Sequence, residues 1–98
     1  MTLFAKVGPD FTISPAPTTA SVNVSTGFGT VSPSDPFPGG IVQKYTWNWG
    51  DGSPNTVTSG STSSVTHTFT TSGAKTVTVT AQDAYGVTTA KTLLVTVS

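Results

Sequence analysis

Apolar and polar residues alternate at every second position along much of this chain, and no stretch shows helical periodicity. Alternation of this kind places successive side chains on opposite faces of an extended strand. Threonine and valine, which dominate the alternating stretches, favour strands. The pattern predicts an all-β chain folded as an antiparallel β-sandwich of about seven strands. The predicted strands cover residues 11–14, 21–25, 41–49, 56–58, 65–69, 76–81 and 88–97.

Turn-forming residues separate these strands. Five glycines or prolines lie between Pro33 and Gly40, and they extend a predicted loop over residues 26–40. Residues 71–73 are predicted to turn the chain, and residues 83–86 to join the last two strands as a hairpin.

Three aromatic residues share one face of the predicted central strand: Tyr45, Trp47 and Trp49. They are predicted to lie in the core, because an exposed row of three large rings would form an unusually large apolar patch. The alternative is a platform that stacks against sugar rings, since tryptophan offers a broad apolar face and a polar N–H. Trp49, nearest the following turn, is expected to be the least buried of the three.

The central strand ends at the sequence Gly50-Asp51-Gly52. Glycine permits positive φ angles, and an aspartate in a turn accepts hydrogen bonds from nearby backbone N–H groups. Asp51 is therefore predicted to be structural, with donors supplied by residues 50–55.

Residues 47–53, Trp-Asn-Trp-Gly-Asp-Gly-Ser, resemble the Trp-Asp-Phe-Gly-Asp-Gly-Ser signature of the PKD (polycystic kidney disease) domain family. The resemblance covers about nine tenths of the chain and includes residues 9–12, 34–36, 67–69 and 76–83; Asn48, Trp49 and Phe69 depart from the family pattern. It implies an immunoglobulin-like, PKD-like β-sandwich over residues 9–98, preceded by an arm or first strand at residues 1–8. It also implies a non-enzymatic binding or spacer module of surface and extracellular proteins. The signature residues carried over are Trp47, Trp49, Gly50, Asp51 and Gly52.

The composition argues against several classes of function. The chain has 98 residues, no cysteine and a formal net charge of +0, so it predicts no disulfide, no binding of nucleic acid and no attachment to a charged membrane surface. His67 is the single histidine, and no Gly-x-Ser-x-Gly elbow occurs, so no catalytic residue is predicted. No aspartate spacing encodes a calcium loop; each aspartate is expected to cap its own turn, and no metal or cofactor is predicted.

Two segments are candidate contacts for a partner protein. Leu3 and Phe4 form an adjacent apolar pair in the arm, which is predicted to dock on another protein. The loop from Pro33 to Gly40 is the second candidate, because loops carry recognition on a rigid frame. The triplet Asn23-Val24-Ser25 matches the N-glycosylation pattern. It is expected to stay unused, because residues 1–6 lack the basic region and apolar run of a signal peptide.

A surface-adhesion fold, a start at Met1 and the missing secretion signal together favour a structural module displayed on a bacteriophage virion. In this hypothesis the protein is a capsid decoration or tail-associated protein at the virion surface, bound to a protein lattice and making weak contacts with glycans. The alternative is a carbohydrate- or protein-binding spacer domain of a secreted bacterial or archaeal hydrolase or surface-layer protein, with an extracellular location.

Overall fold

A computed structural model describes residues 9–34, 41–60 and 63–98. These residues form eight strands: β1 (Asp10–Ile13), β2 (Thr19–Ala20), β3 (Ser25–Ser34), β4 (Val42–Asn48), β5 (Thr56–Ser59), β6 (Ser63–Thr68), β7 (Gly73–Asp83) and β8 (Thr88–Val97). Among the described residues, no helix is long and apolar enough to cross a membrane.

The strands form two sheets. The smaller sheet has the order β1-β3-β6, and the larger has the order β2-β8-β7-β4-β5. Neighbouring strands are antiparallel except for β2 and β8, which pair in parallel. The predicted all-β sandwich is confirmed, with eight strands in the described part of the chain in place of about seven.

Strand register defines two ends of the sandwich. In the larger sheet, Val42 pairs with Asp83 at the β7–β8 hairpin, whereas Asn48 pairs with Thr78 near the turn that follows β4. We call the end with residues 83–88 the hairpin pole and the end with residues 49–55 the signature pole. In the smaller sheet β3 runs toward the hairpin pole, because Phe28 packs on Trp49 and the later Thr30 bonds to Tyr45. Asp10 pairs with Ser34 at the end of β3, so β1 begins at the hairpin pole.

Both sheets contribute to one core. Its fully or almost fully buried apolar residues are Phe11, Phe28, Val42, Tyr45, Trp47, Trp49, Phe69, Val77, Val79, Ala81, Val95 and Val97. A hydrogen bond between the side chains of Tyr45 and Thr30 connects β4 to β3 across this core. Burial raises the pKa of Tyr45, and the bond to Thr30 offsets part of that rise. The polar link is therefore compatible with the apolar surroundings because both hydroxyls are satisfied.

The prediction of a second strand over residues 21–25 was wrong. The chain turns here, with a backbone hydrogen bond from Val24 N–H to the Ser21 carbonyl (3.2 Å), and Asn23 has a φ of 63°. The short strand β2 lies just before this turn. Val22 is partly buried against the core whereas Val24 is 53% exposed, so the two valines do not share one strand face.

The predicted loop over residues 26–40 was wrong for its first nine residues, which belong to β3. This strand lies between β1 and β6, and its Phe28 is 1% exposed. Pairing on both sides and the burial of one large ring outweigh the low strand preference of Gly27 and Gly29. Residues 35–40, including the predicted turn at Asp35, lie outside the described residues.

The hairpin predicted at residues 83–86 is confirmed. Gly86 N–H donates to the Asp83 carbonyl at 3.1 Å, and Asp83 N–H donates to the Val87 carbonyl at 3.0 Å. The Asp83 carboxylate accepts the backbone N–H groups of Tyr85 and Val87, both at 2.9 Å. This buried aspartate therefore caps its own turn, as predicted.

Candidate functional site

Tyr45, Trp47 and Trp49 all have 0% of their surface exposed. They pack between the two sheets, so the sugar-stacking platform considered from the sequence is not present on the described surface. The expectation that Trp49 would be the least buried was wrong. Its indole lies parallel to the His67 ring, with centroids 4.3 Å apart, and 5.1 Å from the centroid of Phe28. These rings cover Trp49 although it follows the last residue of β4.

The edge strand β5 supplies acceptors for both buried indole N–H groups. Trp47 Nε1 donates to Thr58 Oγ1 at 3.2 Å, and Trp49 Nε1 donates to Thr56 Oγ1 at 3.1 Å. A buried indole N–H without an acceptor would lower the stability of the fold, so the two threonine hydroxyls are needed to satisfy both tryptophan donors. Sequence reasoning missed their role, although the Thr-x-Thr alternation opposite Trp-x-Trp was an available signal.

The Asp51 carboxylate joins the turn after β4 to strand β6 of the other sheet. One of its oxygens, Oδ1, accepts hydrogen bonds from the Ser53 backbone N–H at 3.0 Å and from the Ser53 hydroxyl. The other, Oδ2, lies 2.8 Å from His67 Nε2. The His67 ring also meets Phe69 edge to face at 4.7 Å. Asp51 and His67 therefore form a polar link between the sheets at the signature pole.

The bonding partners of Asp51 control its protonation. Burial by itself would raise the pKa, but the hydrogen bonds from the Ser53 hydroxyl, from His67 and from the Ser53 amide lower it from 3.8 to about 2. The carboxylate is thus ionised at neutral pH and can only accept, so Nε2 of His67 carries the proton in their bond. The side chains are 7% and 14% exposed for Asp51 and His67, which shields this bond from water.

This cluster contains a serine, an aspartate and a histidine, but its connectivity is not that of a nucleophilic triad. In a triad the imidazole contacts the serine oxygen and removes its proton. Here the Ser53 hydroxyl and the His67 imidazole each bond to Asp51, and His67 is stacked on Trp49. The arrangement fixes a turn and does not activate a nucleophile.

Residues 9–34, 41–60 and 63–98 contain no preformed set of metal ligands. No set of three or more histidine, cysteine, aspartate or glutamate side chains lies close enough to hold an ion. Asp10 instead accepts the Phe11 N–H at 2.9 Å and pairs with Lys91 at 2.8 Å.

Asp51→Ala is expected to lower the free energy of unfolding by about 1–3 kcal/mol, because it removes the acceptor for the Ser53 donors and for His67. Chemical denaturation followed by circular dichroism measures the change. Asp10→Ala is the control, since the Asp10 side chain is 67% exposed and exposed ion pairs contribute less than about 1 kcal/mol. Equal losses in the two variants, or a strong rise in wild-type stability on adding calcium, would contradict a purely structural Asp51.

Stability should fall in acid as Asp51 becomes protonated. Its pKa is lower in the folded chain than the ordinary value of 3.8, so its contribution is complete above that value. The contribution is then lost as the pH falls through about 2, the folded pKa. Denaturation midpoints measured at a series of pH values should show this loss in the wild type and a flatter acid limb in Asp51→Asn. The Lys91 contact also lowers the pKa of Asp10, so the comparison should be repeated in an Asp10→Asn background.

The two segments predicted to contact a partner protein fall wholly or largely outside the described residues. Leu3 and Phe4 lie outside the described residues, as do residues 35–40 of the second candidate segment. Ser34, which precedes them, ends β3 at the hairpin pole.

Comparison with known proteins shows which family the chain resembles in sequence and in fold. The family model described as PKD domain matches residues 12–97. Among solved structures, the chain is similar to the PKD domain of an M14-like peptidase from Thermoplasmatales archaeon SCGC AB-540-F20, at 26% identity, with 92% of each chain covered and a TM-score of 0.67. No curated protein sequence matches the chain.

A superoxide reductase (neelaredoxin) from Ignicoccus hospitalis is also similar, at 9% identity, covering 93% of this chain and 80% of that one, with a TM-score of 0.68. Identity this low shows a shared fold only. The family match spans most of the chain and includes the Trp47 to Asp51 signature and the strand that carries His67. This chain belongs to the PKD domain family.

Proposed function

We propose that this domain is a non-catalytic spacer and binding module of a larger extracellular protein, such as a secreted hydrolase. PKD domains are typically non-enzymatic modules of larger proteins such as peptidases, and they are typically extracellular or surface modules. The similar archaeal domain comes from an M14-like peptidase, which supports this reading over the virion hypothesis. The comparisons give attachment to a bacteriophage no support.

The course of the chain through the fold carries the proposal. β1 starts at the hairpin pole, opposite Ser34 of β3. β8 ends at the signature pole, because Val97 pairs with Gly73, which lies beyond Thr78 in that direction. There Ser98 N–H donates to the Ala20 carbonyl at the end of β2, and the Ser98 carbonyl accepts from Val22 N–H, both at 3.0 Å. The described chain therefore enters at one pole and leaves at the other. Neighbouring domains joined to such a module are held apart by its length.

The site geometry agrees with a module that performs no chemistry. The signature residues Trp47, Trp49 and Asp51 are used by the core and by the turn, so they present no open pocket.

The outer face of the larger sheet carries pairs of threonines: Thr78 pairs with Thr92, and Thr46 pairs with Thr80. The same face also exposes Val57 and Leu94, which lie opposite Thr46 and Thr76. A face of hydroxyl groups with a few apolar side chains suits weak contacts with neutral glycans, and it provides little charge for steering a charged ligand.

Tandem copies of the chain test the spacer role. Two and three copies joined from Ser98 to Met1 should give a maximum dimension in small-angle X-ray scattering that rises by a similar step with each copy. The cysteine-free sequence permits a matched distance control by paired labelling. Labels at Asp10→Cys and Ser98→Cys report opposite poles, whereas labels at Asn23→Cys and Ser98→Cys report the same pole. Copies that fold back on one another, or equal label distances, would contradict the proposal.

The amino-terminal arm is proposed to hold the partner. Two apolar side chains, Leu3 and Phe4, could contribute about 3–6 kcal/mol if both were buried, at about 1.5–3 kcal/mol each. Deleting residues 1–8 should leave a folded domain that, in a co-sedimentation assay, no longer binds the partner protein that retains the full-length domain. The double variant Leu3→Ser/Phe4→Ser should behave in the same way, and Thr2→Ser/Ala5→Ser is its control. Retention of the truncated chain at wild-type occupancy would exclude the arm and direct attention to residues 33–40.

A further inference from the structure

Asn23-Val24-Ser25 is an acceptor triplet for N-glycosylation, with a hydroxyl residue two positions after an asparagine and no intervening proline. The other two asparagines do not fit this pattern, because Gly50 follows Asn48 and Val57 follows Asn55 at the second position. One asparagine of the chain can therefore be a substrate for transfer of an oligosaccharide.

The structure places this asparagine in an exposed turn between β2 and β3. Its backbone is anchored, since Asn23 N–H donates to the Phe69 carbonyl at 2.8 Å. The residue itself is exposed, and the next side chain, Val24, is 53% exposed. A sugar attached to the Asn23 amide would extend into solvent at the signature pole without displacing a core side chain.

The turn alone explains only part of the triplet. Asn23 has a φ of 63°, a conformation that asparagine and glycine adopt more easily than other residues. That constraint accounts for asparagine at position 23, but it places no demand on Ser25, which is exposed at the first position of β3. The sequence analysis expected this site to stay unused because residues 1–6 lack the features of a signal peptide. PKD domains are typically extracellular, so that argument no longer excludes glycosylation.

We propose that Asn23 is an N-glycosylation site of this domain, an inference that rests on the proposed extracellular placement. The donor is a lipid-linked oligosaccharide, and an oligosaccharyltransferase is the catalyst. Nδ2 of Asn23 forms a bond to the anomeric carbon of the first sugar while the bond from that carbon to the lipid phosphate breaks. The lipid phosphate leaves with the electron pair, and the amide nitrogen loses one proton to a base.

The glycan would have a definite position relative to the chain's exit from the fold. Val22, adjacent to Asn23, donates its backbone N–H to the carbonyl of Ser98 at 3.0 Å. An oligosaccharide on Asn23 therefore lies beside the point at which the chain leaves the sandwich. At that position it covers Val24 and limits how closely a following domain can approach the signature pole.

Peptide mass spectrometry on the protein from its native source tests the site. After cleavage at lysine, the peptide that follows Lys6 and ends at Lys44 should carry an oligosaccharide mass on Asn23. Ser25→Ala should abolish the modification, whereas Ser25→Thr should retain it. Asn23→Gly is the structural control, because it keeps the positive φ and removes the acceptor. Circular dichroism of that variant should match the wild type.

The outcomes separate this inference from the proposed function. An unmodified Asn23 in protein recovered outside the cell overturns glycosylation and leaves the spacer role intact. Recovery of the protein from the cytosol alone overturns both. A sugar that persists in Asn23→Gly shows attachment through another residue, and one that persists in Ser25→Ala shows that the triplet does not direct the modification. Either result also overturns the assignment.

Discussion

Replacing Trp47 with alanine is expected to lower the free energy of unfolding by about 3–5 kcal/mol, the usual cost of truncating a large buried aromatic. Its ring has 0% of its surface exposed, stacks on Trp49 at 5.5 Å and packs 6.2 Å from Phe28 of the opposite sheet. The change also leaves the Thr58 hydroxyl without its donor. A small domain has only about 5–15 kcal/mol of stability in total, so a large fraction of the variant should be unfolded.

Urea denaturation followed by far-ultraviolet circular dichroism measures this loss. Tyr85→Ala is the matched control, because it removes an aromatic ring that is 59% exposed at the β7–β8 hairpin. Substitutions at such surface positions usually change stability by less than about 0.5 kcal/mol. A loss below about 1 kcal/mol in Trp47→Ala would mean that this ring does not lie between the sheets as described.

The alternation of residues was sufficient to predict β4, β7 and β8, because each has one face in the core and one in solvent. It failed at β3, where the glycines and prolines between Pro33 and Gly40 extended the predicted loop back over residues that belong to the strand. That strand is held by neighbours on both sides, and partners distant in sequence cannot be seen from its own residues. The alternation of Val22 and Val24 led to the opposite error, a predicted strand where the structure has a turn. A single residue with a left-handed backbone conformation, Asn23, turns the chain there.

The candidate site divides in the same way between local and distant contacts. The bonds from Ser53 to Asp51 span two residues and follow from the chemistry of an aspartate in a glycine-rich turn. The bond from His67 to Asp51 spans sixteen residues and joins two sheets, so the spacing along the chain does not indicate it. Burial of Trp49 depends on the same distant segment, because His67 in β6 and Phe69 just after it both pack against the Trp49 ring.

Gly50→Ala is expected to destabilise the fold more than its small size suggests. A Cβ atom at this position would lie 2.2 Å from the backbone carbonyl oxygen of Thr76 in β7, and the residue has a φ of +71°. The left-handed backbone costs a non-glycine residue about 1–2 kcal/mol, and overpacking against a fixed neighbour costs about 1–3 kcal/mol. The expected loss is therefore about 2–5 kcal/mol, since a strand backbone cannot move aside as a flexible side chain can.

Gly52→Ala separates the cost of the backbone conformation from the cost of the steric contact. Gly52 has a φ of +84°, but a Cβ there would have no atom within 4 Å. This control should lose only the conformational part, about 1–2 kcal/mol. The difference between the two variants, measured by urea denaturation, is the cost of the contact with Thr76. Equal losses would mean that the turn after β4 does not approach β7 as closely as described. A larger loss in Gly50→Ala would explain the first glycine of the signature by packing together with backbone conformation, and the second by backbone conformation alone.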